Sequence, residues 1–194
     1  MEINRDIYLN RLITRKQNGF IKVITGIRRC GKSYLLNKIF YNYLLSEGVD
    51  ENHIIRFAFD SADDLLLIDE DILDISEQNR KVDPRKFMKY ISGKIVDDEM
   101  YYLLLDEVQL LGNFEAVLNG YMRKDNLDIY VTGSNSKFLS SDILTEFEGR
   151  GDEIHILPLS FSEFYSAYEG TKEEAFDDFL VYGGLPAIAS MQIR

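Results

Sequence analysis

A parallel α/β fold is what this sequence predicts, on three observations. Short apolar runs rich in Val, Ile, Tyr and Phe alternate with longer stretches of helical spacing, the pattern of strands buried on both faces and joined by crossover helices. A glycine-bracketed loop stands between the first such run and the first long helical stretch, and the third run ends in two carboxylates.

Taken in order, the first run is 20–25 (FIKVIT), followed by a helix over 33–45 with apolar positions at Leu35, Leu36, Ile39, Tyr43 and Leu44. The second run is 53–59 (HIIRFAF). The acidic stretch 60–81 then carries Leu65, Ile68, Ile72 and Ile75 at spacings of three and four, which predicts one or two amphipathic, core-facing helices. Asp83 followed by Pro84 starts a helix that runs through Ile95. The third run is 101–105 (YYLLL), after which Asn113 is placed to cap a helix over 114–124. The fourth and fifth runs are 128–132 (DIYVT) and 153–157 (EIHIL). Ser160 with Glu163, and Thr171 with Glu174, fit capping boxes of two last helices that end at Gly183-Gly184.

The chain has 194 residues, 45 % of them hydrophobic, enough for one compact domain and far from disordered or fibrous composition. Its net charge of −11 argues against a broad basic nucleic-acid surface and against docking on an anionic membrane. The sum hides a polarity: residues 1–40 carry nine Lys or Arg against Glu2 and Asp6, so 9 − 2 = +7, while the remainder carries 13 − 31 = −18. One end is thus suited to anions. Cys30 is the single cysteine, which excludes an intrachain disulfide, and with only His53 and His155 beside it a zinc site is out of reach. A reducing, cytoplasmic setting is expected, since the start MEINRDIYLNRLITRKQ lacks the apolar core of a signal peptide and no apolar run nears the ~20 residues that span a bilayer.

The loop Gly26-Ile27-Arg28-Arg29-Cys30-Gly31-Lys32-Ser33 satisfies G-x-x-x-x-G-K-[ST] in the context that pattern requires, after a strand and before a helix. Two glycines let backbone N–H groups wrap phosphates, and the following helix adds its positive end. Lys32 is then expected on the β- and γ-phosphates and the Ser33 hydroxyl on Mg²⁺. In Tyr101-Tyr102-Leu103-Leu104-Leu105-Asp106-Glu107, the carboxylates stand at the ligand edge of a parallel sheet; Asp106 is expected to hold Mg²⁺ through water and Glu107 to act as general base. The fourth run ends in Thr132-Gly133-Ser134-Asn135, where Ser134 or Asn135, not distinguishable, would orient water near the γ-phosphate. Arg150, on a glycine-flanked loop, reads as an arginine finger given to a neighbouring subunit, as a solvated loop Arg, or as a local partner of Asp152.

Together these residues resemble a P-loop ATPase of the AAA+ superfamily, and more narrowly a prokaryotic family of AAA+ ATPases with a second domain downstream. The resemblance rests on GIRRCGKSYLL, YLLLDEVQ, YVTGSNSKFLSSD, EFEGRG, ILPLSFSEF and YGGLP, which span most of the chain. It implies a three-layer sandwich around a five-stranded parallel sheet in the order 5-1-4-3-2, with Gln109 following the acidic pair and Ser134 or Asn135 sensing the γ-phosphate. It also implies that Tyr34 after the loop belongs to the nucleotide-binding residues and that the stretch 3–9, with Tyr8, lines the adenine pocket, although as bare sequence 3–9 serves equally as packing. The core is expected at 1–158, with 159–194 beginning a lid or linker; such family members run about twice this length, so the chain is either a piece of a longer protein or a reduced homologue. Cys30 beside Lys32 is expected to have a depressed pKa, its alkylation weakening ATP binding.

Two functions follow. One is Mg²⁺-dependent ATP hydrolysis coupled to a protein partner, a downstream domain or self-association; the other is a slow nucleotide switch. DNA binding through Arg5, Arg11, Arg15, Lys16 and Lys22 is a weaker third.

Overall fold

Five parallel strands form the centre of the molecule in the order β2-β3-β4-β1-β5, which is the 5-1-4-3-2 arrangement read from its other edge. The computed structural model describes residues 3–78, 80–133, 147 and 149–189. The strands are β1 (Ile21–Thr25), β2 (Ile54–Ala58), β3 (Tyr101–Asp106), β4 (Leu127–Thr132) and β5 (Gly151–His155). Every residue of β1 and β3 is buried, as is all of β4 after Leu127, because helices cover both faces of the inner strands. The outer strands β2 and β5 are only partly buried.

Alternation along the strands builds two cores. Ile21, Val23, Leu103, Leu105, Ile129 and Val131 point to one face, where α3 (Ala62–Leu66), α4 (Ile72–Glu77), α5 (Pro84–Lys94) and α6 (Phe114–Tyr121) pack. Ile24, Tyr102, Leu104, Tyr130 and Ile154 point to the other, covered by α1 (Asp6–Ile13) and by the helix over 32–46, here α2. Inside α2, residues Leu35–Phe40 take π-helical bonding between the α-helical segments Lys32–Tyr34 and Tyr41–Ser46. The acidic stretch after β2 becomes two short helices, with Leu65 and Ile68 buried and Ile72 and Ile75 packed on the first core.

Several caps work as their residues predict. Asp83 accepts from the Arg85 N–H at the start of α5, and the capping boxes of Ser160 with Glu163 and Thr171 with Glu174 open α7 (Phe161–Ser166) and α8 (Lys172–Tyr182). Asn113 differs: it precedes α6 in the left-handed region, φ +49, and its side chain makes no cap bond, so it serves through its tolerance of that backbone. After α8, Gly183 at φ +75 turns the chain back and leads into α9 (Pro186–Ala189). A side chain at Gly184 would overlap the Leu159 carbonyl, and the Gly184 carbonyl accepts from the Leu159 N–H at 2.7 Å. A third small core of Leu159, Phe164 and Ala175, with Ile3 and Phe179 against it, holds α7 and α8.

The free edge of β2 is closed by its own chain. The Ile54 N–H donates to the Glu51 carbonyl and the Ala58 N–H to Asp64 Oδ2 at 2.7 Å, leaving Arg56 between them, its guanidinium 3.9 Å from the centre of the Tyr41 ring. At the opposite end of the sheet, Lys22 is fully buried and bonded to Asp128, with the Phe20 carbonyl accepting from it at 2.8 Å. Burial lowers the Lys22 pKa, and the neighbouring Asp128 counters this only in part.

Candidate nucleotide-binding site at the carboxyl edge of the sheet

The loop after β1 takes up backbone that few residue types adopt. Gly26 sits at φ +144, where a side chain would run into the Ile156 carbonyl, and Gly31 at φ +99 turns the chain into α2. Arg29, with no such freedom, is also left-handed at φ +69. Ile27, Arg28, Arg29, Ser33 and Tyr34 are exposed. Lys32 is not held out into solvent: it is 5 % exposed, and its ammonium donates to the carbonyls of Gly26 at 3.0 Å and Ile27 at 3.1 Å. A phosphate arriving here would replace those carbonyls as the ammonium's partner.

Cys30 corrects the expectation of a reactive thiol. It is completely buried and belongs to the core under the loop. Burial raises its pKa, and the positive charges of Lys32 and Arg5 offset that only partly.

The carboxylates stand across from the loop, at the end of β3. Asp106 is 5 % exposed; its Oδ1 accepts from the Thr132 hydroxyl and its Oδ2 from Asn37 Nδ2 at 3.4 Å. The same Thr132 oxygen accepts the Glu107 N–H at 3.1 Å, so one buried hydroxyl on β4 binds both members of the pair. Glu107 is left-handed at φ +53, a conformation that a non-glycine residue keeps only where its surroundings enforce it. Its Oε2 accepts from Gln109 Nε2. Desolvation, then the charges of Asp106, Glu107 and Asp64, push the Asp60 carboxyl above its ordinary value, so the negative charge here is crowded.

Thr132 and Asn37 were not singled out by sequence reasoning. A Thr ending the strand beside an acidic pair was the available signal for the first; Asn37, one turn along α2 from Ser33, had none.

Tyr8 is 8 % exposed, with the Arg5 and Arg11 guanidinium carbons 4.5 and 5.5 Å from its ring centre and its hydroxyl accepting the Leu157 N–H at 3.2 Å. Arg5 is buried as well, donating to the carbonyls of Cys30 at 3.4 Å and Leu157 at 2.6 Å and pairing with Glu163 at 3.2 Å. Beside the loop, Ile3, Arg5, Gly31, Tyr34, Leu159, Pro186 and Ala187 line a mostly apolar cleft of about 250 Å³. Tyr8 is not among its lining residues; Tyr34 is. A wider groove of about 690 Å³ runs along β2 and shares no residue with the phosphate loop.

Arg150 is exposed and lies at the other end of the sheet, where its carbonyl accepts the Ile21 N–H at 2.9 Å. A strand's length, about 15 Å, separates it from its own loop. Asp152 is held by Arg15 at 2.8 Å and by Asn18 at 3.0 Å. Ser134 and Asn135 lie outside the described residues. Among the described residues no group of three His, Cys, Asp or Glu gathers as a metal cage, and no helix is long and apolar enough to cross a membrane.

A parallel sheet in this order, with a glycine loop opening into α2 and an acidic pair on the next strand but one, is the arrangement of AAA+ P-loop proteins. The chain belongs to the AAA domain family, whose profile matches residues 18–165. An uncharacterized protein of Haemophilus influenzae is 33 % identical over 192 residues, covering 96 % of this chain and 44 % of that protein. One from Methanocaldococcus jannaschii is 31 % identical over 202 residues, covering 96 % of this chain and 39 % of the relative. The chain therefore spans less than half the length of these curated relatives. Among solved structures, a DNA replication initiation factor aligns with TM-score 0.56 at 17 % identity over 93 % of this chain and 56 % of its own. PCH-2 of C. elegans aligns with TM-score 0.54 at 16 % identity over 83 % and 43 %. The likeness to these structures is one of fold.

Proposed function

We propose that this domain binds ATP with Mg²⁺ at the carboxyl edge of the sheet and hydrolyses the β–γ phosphoanhydride. The observation that supports the reading is that the parallel sheet brings the loop with Lys32, after β1, and the carboxylates Asp106 and Glu107, tied together through Thr132, to the same edge. A nucleotide would lay its phosphates along the loop amides and draw Lys32 from the carbonyls of Gly26 and Ile27. Its base would enter the cleft between Tyr34, Ile3 and Pro186, whose apolar lining suits a flat heteroaromatic ring.

Mg²⁺ fits the donors present. Ser33 is exposed at the start of α2 and Asp106 is a buried carboxylate among crowded negative charge. One carboxylate and one hydroxyl suffice for an ion whose shell is completed by phosphates and water, and when bound it would neutralise charge developing on the phosphates. Glu107 would take the proton of the attacking water, and Ser134 or Asn135 would sense the γ-phosphate.

In single-turnover hydrolysis at saturating Mg-ATP, the wild type is expected to exceed Glu107→Gln by at least about 100-fold. Lys32→Met is expected to weaken ATP binding while leaving the thermal midpoint within a few degrees. A wild type no faster than Glu107→Gln removes the enzyme reading and leaves the slow nucleotide switch. DNA binding draws less support, because Arg5, Arg15 and Lys22 pair with Glu163, Asp152 and Asp128.

A further inference from the structure

Gln109 is the one buried polar side chain at this edge with an unmet hydrogen-bonding atom among the described residues. It is 8 % exposed; its Nε2 donates to Glu107 Oε2, while its amide oxygen, Oε1, is enclosed without a partner. An enclosed amide oxygen left unsatisfied is costly, and such atoms in folded proteins call for an explanation.

The backbone around Gln109 is pinned from several directions, so its place is not the accident of a loose loop. Val108–Leu110 form a single 3₁₀ turn, closed by the Leu110 N–H on the Glu107 carbonyl at 3.0 Å. Lys81 donates to the Gln109 carbonyl. The Val82 N–H reaches the Leu110 carbonyl at 2.9 Å, Val82 and Leu111 form an isolated parallel bridge, and the Gly112 N–H returns to the Val82 carbonyl at 2.9 Å. The stretch after α4 thus clamps the turn that carries Gln109.

Resting on the reading of Glu107 as general base, we infer that Gln109 positions Glu107 and, through its amide oxygen, orients the water that Glu107 activates. An attacking water has two hydrogens and must keep a lone pair aimed at the γ-phosphorus. Glu107 accepts the hydrogen that will leave, and Gln109 Oε1 accepts the one that stays. The water oxygen forms a bond to the γ-phosphorus while the bond from that phosphorus to the β–γ bridging oxygen breaks. The bridging electron pair leaves with ADP, the departing proton passes to Glu107, and the retained hydrogen stays on the phosphate. A side-chain amide supplies both contacts at once: the N–H fixes the base and the carbonyl fixes the nucleophile.

The test uses Gln109→Met, which keeps the length and removes both hydrogen bonds, read as kcat and as affinity for a non-hydrolysable Mg-ATP analogue. The expected result is kcat lowered at least about 10-fold with affinity within about 2-fold of wild type. A role confined to packing would show equally in any background, so Gln109→Met is also built on Glu107→Gln. There it is expected to cost distinctly less than in the wild-type background, because the base that its N–H holds is gone. Should Gln109→Met fold poorly, Gln109→Asn, one methylene too short to reach Glu107, takes its place with the same expectation. Full kcat in the single variant, or an undiminished further loss on Glu107→Gln, overturns the inference and leaves the ATPase reading standing. A wild type no faster than Glu107→Gln overturns both.

Discussion

At the scale of single residues, two side chains of the loop, Lys32 and Cys30, are engaged with the protein itself while Ile27, Arg28, Arg29 and Ser33 stay exposed. Lys32 rests on two carbonyls of its own loop, and Cys30 is sealed beneath it. The Cys30 thiol follows its surroundings and not its neighbourhood in sequence: burial outweighs Lys32 and Arg5, its pKa stands above the ordinary thiol value, and the thiolate fraction near neutral pH falls accordingly. Native protein at pH 8 should react with a thiol reagent at least about 10-fold more slowly than protein unfolded in urea. Equal rates would mean that the thiol is open to solvent in the folded state.

At the scale of elements, the strands and the glycine loop were legible because both depend on local patterns. Runs such as YYLLL can only be buried on two faces, and the spacing of Gly26, Gly31 and Lys32 sets the loop by itself. What escaped the sequence depends on pairs far apart in the chain. Thr132 matters because β4 lies beside β3, and Asn37 because α2 crosses towards Asp106. The fate of the basic N-terminal residues was hidden likewise, since their partners Asp128, Asp152 and Glu163 come more than a hundred positions later. The π-helical segment of α2 left no mark in the apolar spacing.

The acidic stretch after β2 shows the same logic in its electrostatics. Glu70 is buried, which alone would raise its pKa, yet hydrogen bonds from Arg80 at 2.5 Å and Lys86 at 3.2 Å hold it below the ordinary 4.5. A carboxyl depressed in the folded state contributes stability that is complete above its unfolded value and lost as pH falls through its folded one. Glu70→Gln should therefore lower the urea midpoint at pH 6, with the gap to wild type closing below about pH 4. A gap that stays constant from pH 6 to pH 3 would show that the charge of Glu70 is immaterial.

At the scale of the whole molecule, the charge of −11 divides between a basic first forty residues and an acidic remainder, and the fold pairs Arg5, Arg15 and Lys22 of the one with Glu163, Asp152 and Asp128 of the other. Arg150 lies at the far end of the sheet from the loop of its own chain, so any contact with nucleotide must come from a second copy. Specific activity should then rise with protein concentration in the wild type and stay flat in Arg150→Ala. A concentration-independent wild type would leave Arg150 as a solvated loop residue.

The edge strand β2 bears on how such copies can meet. With the Ile54 and Ala58 N–H groups already bonded to Glu51 and Asp64, and the Arg56 side chain folded over Tyr41, this edge is partly closed to a foreign strand. If copies of this chain do meet, side chains of the outer surfaces, and not a sheet continued through β2, are expected to make the contact.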